Sequence, residues 1–509
     1  MAFAYFDWIG HHAAVRGESF ALTDLATARR FDYRTLHERI DHLAGHLARM
    51  GVGRGDRLAV LALNTTETLE VQFAAFRLGA IFVPLNARLT VHELEYILGD
   101  CEPRVLFHDE PGEAHAMELQ ARCGIPHRLA YGRDYEALLA SAPAFGRREE
   151  VMIEHVSTIM YTSGTTGRPK GAMITHLMTF INAINLGTPL SVSPRTVTLC
   201  YLPLFHTGGL NCFTNPALHA GGEVIVMRSF DPGLALRLIG DPALGVTHML
   251  GVPANFQFMA QDPAFEDTDV ARLQVAGVGG APMPLALLEV WRDRGCALAQ
   301  VYGMTETSPV VLALRAEDAA RKAGSAGKPV LHGAVRLVRQ DGVDAAPGEL
   351  GELWVKGPNV TPGYWRRPDA TAESFTDGWL HTGDTARIDE EGFYYIVDRT
   401  KDMYISGGEN VYPAEVEDVI YQLAAVAEAA VIGAPDERWG ETGLAVVVLK
   451  AEASLTDAEI MAHCRERLAR FKCPHKVVFT DALPRNATGK VHKPTLRARF
   501  LPKKGMLPT

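Results

Sequence analysis

Short apolar strands alternating with amphipathic helices predict an α/β protein with largely parallel sheets. The alternation runs from residue 57 to about residue 302. From about 330 to 397 the texture changes to strands and glycine turns, as in Gly351-Glu352-Leu353-Trp354-Val355-Lys356-Gly357, which predicts a small β-rich subdomain. Beyond the charged run Asp398-Arg399-Thr400-Lys401-Asp402 lies a compact α+β pattern. At 509 residues the chain exceeds what one hydrophobic core organises. We therefore expect a large multi-layered N-terminal domain over 1–398, a hinge at 399–402 and a small domain over 403–509.

The elements follow in order. Leu36, Ile40, Leu43, Leu47 and Met50 recur at helical spacing over 36–51, and Gly51 is a natural stop. Arg57–Ala62 reads as a buried strand, Glu67–Leu78 as a helix and Ala80–Pro84 as a second strand. Similar pairs recur near 105–107, 198–230 and 245–302. The last domain reads as helix 413–424, strands 427–433 and 443–450, helix 456–470 and strand 476–479.

Composition narrows the function. Sixty acidic against 50 basic residues leave a formal charge of -10, which argues against nucleic acid and anionic membranes as partners. The seven cysteines are scattered with no C-x-x-C pair, so a disulfide framework or zinc site is not expected and a reducing compartment is. The first residues lack a signal peptide, and no apolar stretch is long enough to span a bilayer. The expected location is the cytoplasm, without membrane insertion.

One segment carries chemistry on its face: Tyr161-Thr162-Ser163-Gly164-Thr165-Thr166-Gly167-Arg168-Pro169-Lys170-Gly171. Glycines let a backbone turn its N–H groups onto an anion, hydroxyls add donors, and Arg168 and Lys170 supply charge for a polyphosphate. The strand before it, and a helix after Gly171, would frame a phosphate loop. It does not match the G-x-x-x-x-G-K-[ST] loop of GTPases.

Further motifs follow: Leu202-Pro203-Leu204-Phe205-His206-Thr207-Gly208-Gly209, Gly279-Gly280-Ala281-Pro282, Tyr302-Gly303-Met304-Thr305-Glu306, Trp379-Leu380-His381-Thr382-Gly383-Asp384 and Pro484-Arg485-Asn486-Ala487-Thr488-Gly489-Lys490. With the opening loop they resemble, in order and across residues 20–497, the signature set of the adenylate-forming superfamily. Within it, Gly279–Pro284, Arg321–Gly327 and Ile405–Pro413 are most similar to bacterial FadD-type fatty acyl-CoA ligases and 4-coumarate-CoA ligase-like enzymes.

The resemblance implies an AMP-forming acid–CoA ligase that uses ATP, Mg²⁺ and coenzyme A. A carboxylate attacks the α-phosphorus of ATP, and a thiol then displaces AMP. Positioning and cations carry such chemistry. Lys490 is implied as the catalytic cation, and Lys170, Thr162, Ser163, Gly164, Thr165, Thr166 and Gly167 as the phosphate cradle. Glu306, with Thr162, would hold Mg²⁺, and Thr305 would meet the α-phosphate. Tyr302 would face adenine opposite Gly280, Ala281 and Pro282, Gly303 and Met304 would join the nucleotide site, and Asp384 and Arg399 would hold the ribose. His206 would face the arriving carboxylate, and Gly407 and Gly408 would line the path of CoA in a mobile small domain. Gly208 and Gly209 either widen an acyl channel or merely shape the turn. A medium- or long-chain fatty acid or an aryl-substituted acid is expected. The rivals are an enzyme that loads a carrier protein and a non-catalytic nucleotide-binding homologue. Relatives often carry a basic residue where Gly407 stands, and Pro194–Leu199 holds a single arginine in place of an arginine-rich lid. A lysine acetyltransferase acting on Lys490 and a second copy of the chain complete the expected partners.

Overall fold

Strands with unbroken apolar runs need cover on both faces. In the strand Arg57–Leu61, Ala59 and Leu61 enter one core while Leu58 and Val60 enter another. The computed structural model describes residues 3–141, 143–145, 150–162, 169–399, 402–406, 409–436, 439–486 and 489–501. Two large sheets in it sandwich a helical layer, and each bears further helices on its outer face.

The first sheet has nine strands. Its six central strands are parallel, in the order Leu298–Gly303, Val275–Gly279, His248–Gly251, Val197–Cys200, Glu223–Val226 and Phe20–Asp24. Antiparallel strands close both edges. The second has six strands, parallel except for the hairpin Val156–Thr162/Lys170–Thr175. The β-rich segment forms an antiparallel sheet around Trp379–Ile388, and the C-terminal region builds its own sheet on the pair Val426–Asp436/Gly440–Leu449. The α/β reading, with a large parallel-sheet part and a smaller C-terminal part, holds.

Helix Thr66–Leu78 lies between the two large sheets, and all 13 of its residues are buried. It is therefore not amphipathic in the expected sense. Its polar side chains are accommodated because each has a partner. Glu70 accepts from Arg39 at 2.8 Å and from the Tyr135 hydroxyl at 2.8 Å. Arg77 pairs with Asp7 at 3.0 Å, Glu67 pairs with Arg29, and Gln72 donates to Asn215 at 2.9 Å. Thr65 caps the start, and Gly79, at φ +66°, takes the left-handed exit.

Several boundaries differ from the sequence expectation. The stretch after Gly171 continues as a strand to Thr175, and the helix opens only at His176, where Thr175 caps it. The helices expected at 413–424 and 456–470 end at Tyr421 and Arg467. A hairpin of three-residue strands, Tyr404–Ser406 and Glu409–Val411, and helix Lys493–Phe500 carry no legible periodicity. The former is too short, and the latter buries only Leu496.

Candidate active site

Parallel strands leave their carboxyl ends together at one edge of a sheet, where the following loops converge. Val197–Cys200, His248–Gly251, Val275–Gly279 and Leu298–Gly303 lie side by side and lead into His206, Val252, Gly280-Ala281-Pro282 and Met304-Thr305-Glu306. Crowding explains the glycines. A Cβ on Gly303 would stand 1.8 Å from the Pro309 carbonyl oxygen, to which the Met304 N–H donates at 3.1 Å. Gly280 has φ +81°, and a Cβ there would meet Lys490 Cε at 2.8 Å and Nζ at 3.3 Å. Lys490 thus reaches from the C-terminal region onto the Gly280 turn. Behind it Gly489, at φ +82°, lies so near Val252 that a Cβ would be 3.1 Å from its methyl.

The half-buried His206 shares this pocket with Lys490. Its Nδ1 accepts the Gly208 N–H at 3.1 Å, which leaves the imidazole proton on Nε2. Burial, reinforced by the Lys490 charge, holds its pKa down to about 3, so the ring is a neutral N–H donor at pH 7. The chain next forms a π-helical turn, Gly208–Thr214. The two glycines that open it do different work. A Cβ on Gly209 would come within 2.3 Å of the Pro203 carbonyl oxygen, so the turn itself requires this glycine. A Cβ on Gly208 would meet only side chains, the nearest being His206 Nδ1 at 3.2 Å, and both glycines line a small cavity with Leu202, Phe213 and Leu250.

Following the strand Leu298–Gly303, Glu306 is buried in the turn Thr305–Thr307 and accepts the Tyr364 hydroxyl at 2.9 Å. Lys170 Nζ lies 5.3 Å from the centre of the same tyrosine ring, so Tyr364 joins the proposed metal and phosphate residues. The Thr162 hydroxyl, at the opposite end of the 162–170 connection, donates to the Lys170 carbonyl at 3.4 Å. Thr305 is buried beside Glu306, while Ala281 and Pro282 are exposed on the Gly280 turn. Tyr302 donates its hydroxyl to the buried Asp384 at 2.5 Å, and Arg399 stands opposite Asp384 in strand register. Ser163, Gly164, Thr165, Thr166, Gly167, Lys401, Gly407 and Gly408 lie outside the described residues.

Sequence reasoning missed a ladder of buried amides that underpins the pocket. Gln72 donates to Asn215 at 2.9 Å, Asn215 to Asn211 at 2.8 Å and Asn211 to the Thr207 hydroxyl at 3.2 Å. Asn182 donates to the Asn211 carbonyl at 2.6 Å and accepts the Val310 N–H at 3.3 Å, tying the His206 side to the Glu306 side. Asparagines recurring within apolar helices were the available signal, since a buried amide needs partners.

This arrangement gathers cations, a neutral imidazole donor and a buried carboxylate around backbone turns, which suits a nucleotide triphosphate meeting a second anion. Comparison with known proteins agrees. A feruloyl-CoA synthase from an Amycolatopsis species is 43% identical over 493 residues, 96% of each chain. The long-chain-fatty-acid–CoA ligase FadD13 of Mycobacterium tuberculosis is 38% identical, over 94% of this chain and 95% of that one. The structure of ATP-bound MatB from Rhodopseudomonas palustris superposes with a TM-score of 0.90 at 33% identity, covering 97% of this chain and 98% of that one. The family of AMP-binding enzymes matches residues 9–365, and the C-terminal domain of AMP-binding enzymes matches residues 415–490. The chain belongs to the AMP-binding enzyme family.

Proposed function

We propose that the chain is an ATP-dependent, AMP-forming acid–CoA ligase, with Lys490 as the cation of its first step. A carboxylate oxygen of the acid attacks the α-phosphorus, and the bond to pyrophosphate breaks. The CoA thiol, losing its proton, then attacks the acyl carbon, and the bond to AMP breaks. The observation that carries this reading is the entry of Lys490 over Gly280, beside His206. There one cation meets both the carboxylate and the α-phosphate while charge develops between them. The Nε2–H of His206 orients the carboxylate, Lys170 with Thr162, Ser163, Thr165 and Thr166 holds the outer phosphates, and Asp384 with Arg399 takes the ribose. Mg²⁺ suits Glu306 with Thr162, because this ion is held by one or two carboxylates together with phosphates. When bound, it offsets phosphate charge.

Lys490→Ala tests the assignment. Pyrophosphate release from acid and ATP should fall to background, while thioester formation from a supplied acyl-adenylate and CoA persists. Near wild-type adenylation would exclude Lys490. A carrier-loading enzyme would release pyrophosphate without using CoA as acceptor, and a non-catalytic homologue would release none.

For the acid, we favour an aryl-substituted substrate over a long alkyl chain. The reading rests on the relatives, since a feruloyl-CoA synthase is 43% identical and an indoleacetate–CoA ligase 38% identical across nearly the whole chain. A thioester screen should rank arylpropenoates above C12–C16 fatty acids. The reverse order would return the assignment to fatty acids.

The remaining proposals concern setting. All seven cysteines are free, in keeping with a reducing cytoplasm, and among the described residues no helix is long and apolar enough to cross a membrane. A homodimer remains the proposed assembly. A lysine acetyltransferase is the proposed modifier of Lys490, and protein acetylated there should behave as Lys490→Ala does.

A further inference from the structure

The catalytic lysine sits at the end of a tight turn. Asn486 closes it by donating its N–H to the Lys490 carbonyl at 2.8 Å, while its side-chain oxygen accepts the Lys490 N–H at 3.0 Å. Arg485 flanks this turn and pairs across it with Val491. Its guanidinium makes three different contacts. One nitrogen donates to the carbonyl of Gly489, the residue before Lys490, at 2.7 Å. Another pairs with Glu428, on the strand Val426–Asp436 of the small C-terminal sheet. The guanidinium carbon lies 5.8 Å from the ring centre of Phe258, on the large-domain helix Pro253–Gln261.

That helix touches the lysine turn at both ends. Val252, just before it, meets Gly489, and Phe258, near its far end, meets Arg485. Phe258 is 37% exposed, so the guanidinium and the ring meet at a partly solvated surface. We propose that Arg485 is a positioning residue that couples the Lys490 turn to the large domain through Phe258, and so favours the orientation in which the acid is adenylated. The guanidinium holds the carbonyl beside Lys490, anchors it to its own sheet through Glu428, and docks the assembly on a ring of the other domain. A rotation that withdraws Lys490 from Gly280 also parts Arg485 from Phe258, whereas the Gly489 and Glu428 contacts travel with the small domain. The Phe258 contact therefore biases orientation without touching substrate.

This inference rests on Lys490 acting in adenylation, so Lys490→Ala is measured alongside. Two half-reactions are followed in the full-length protein: pyrophosphate release from acid and ATP, and thioester formation from supplied acyl-adenylate and CoA. An exposed cation–ring contact is weak, so Phe258→Ala should slow adenylation by about two- to fivefold and leave the thioester step at or above the wild-type rate. Phe258→Trp, which keeps a ring face, should restore adenylation. Arg485→Lys keeps a charge for Glu428 but loses the planar fork on Gly489; it should cut adenylation by roughly tenfold with an unchanged melting temperature and thioester step. Equal losses in both half-reactions, or wild-type adenylation in Phe258→Ala, would overturn the coupling. If the coupling fails while Lys490→Ala still abolishes adenylation, the proposed function stands; normal adenylation by Lys490→Ala would overturn both.

Discussion

Gly208 and Gly209 adjoin in sequence and look alike, yet backbone blocks a side chain at only one of them. Gly209 is pressed against the Pro203 carbonyl, whereas Gly208 faces the cavity with no contact under 3.2 Å from an added Cβ. If the acid occupies this side of the pocket, a ring placed there competes with it. Gly208→Tyr should therefore shift preference towards smaller acids, by roughly tenfold or more, since overpacking commonly costs about 1–3 kcal/mol. Relative thioester rates for a small and a bulky acid give the answer; an unchanged ratio in a folded variant would place Gly208 outside the acyl site. The motif Leu202–Gly209 was legible as chemistry through its place in the ordered motif set. The division of labour between its glycines was not, because it depends on which carbonyl the folded chain brings against each Cα.

Among the elements, the π-helical turn Gly208–Thr214 is held by side chains rather than by regular backbone bonding alone. Asn211 sits at the centre of the amide ladder, bonded to Asn215, Thr207 and Asn182. Replacing one member of a buried network leaves its neighbours unsatisfied, at about 1–3 kcal/mol. Asn211→Leu should lower stability to urea or heat by that order, since leucine matches the volume but offers no partner to Asn215. A variant as stable as the parent would show that the ladder contributes nothing. Helix Thr66–Leu78 is the other element whose role escaped its sequence. Glu67, Glu70 and Arg77 look like a solvated face, but they are buried because Arg29, Arg39, Asp7 and Asp41 converge on them from distant segments.

For the molecule as a whole, the two proposed half-reactions ask for different arrangements of one small domain. Lys490 occupies the pocket here, and the Gly407-Gly408 segment proposed for the CoA step belongs to the same domain. We propose that the two are presented in turn by rotation about a hinge at 399–402. Proline at Lys401 would fix φ there. Lys401→Pro should reduce CoA-dependent turnover more than pyrophosphate release from acid and ATP. Equal reduction of the two would instead indicate general damage and remove the hinge from the mechanism.

Local pattern determined a good deal on its own. Helix 36–51, the strands near 57, 81 and 105, and the switch to β-rich texture after 330 all follow from apolar spacing and turn residues. The phosphate loop was legible from its own residues, whereas the chemistry and the role of Lys490 came from the resemblance of the ordered motifs to a known family. What only the tertiary structure decided is convergence. Tyr364 joins Glu306 to Lys170 because the segment 361–365 folds back on the 170–175 strand, with the Trp365 N–H donating to the Gly171 carbonyl at 2.7 Å. Arg485 finds Phe258 although the two are 227 positions apart in sequence, because the small domain packs its lysine turn on helix Pro253–Gln261. Periodicity reports which face of an element is buried, but not what covers it. The covering partner is chosen by packing between segments far apart in the chain, and it is that packing which turns separate motifs into one pocket.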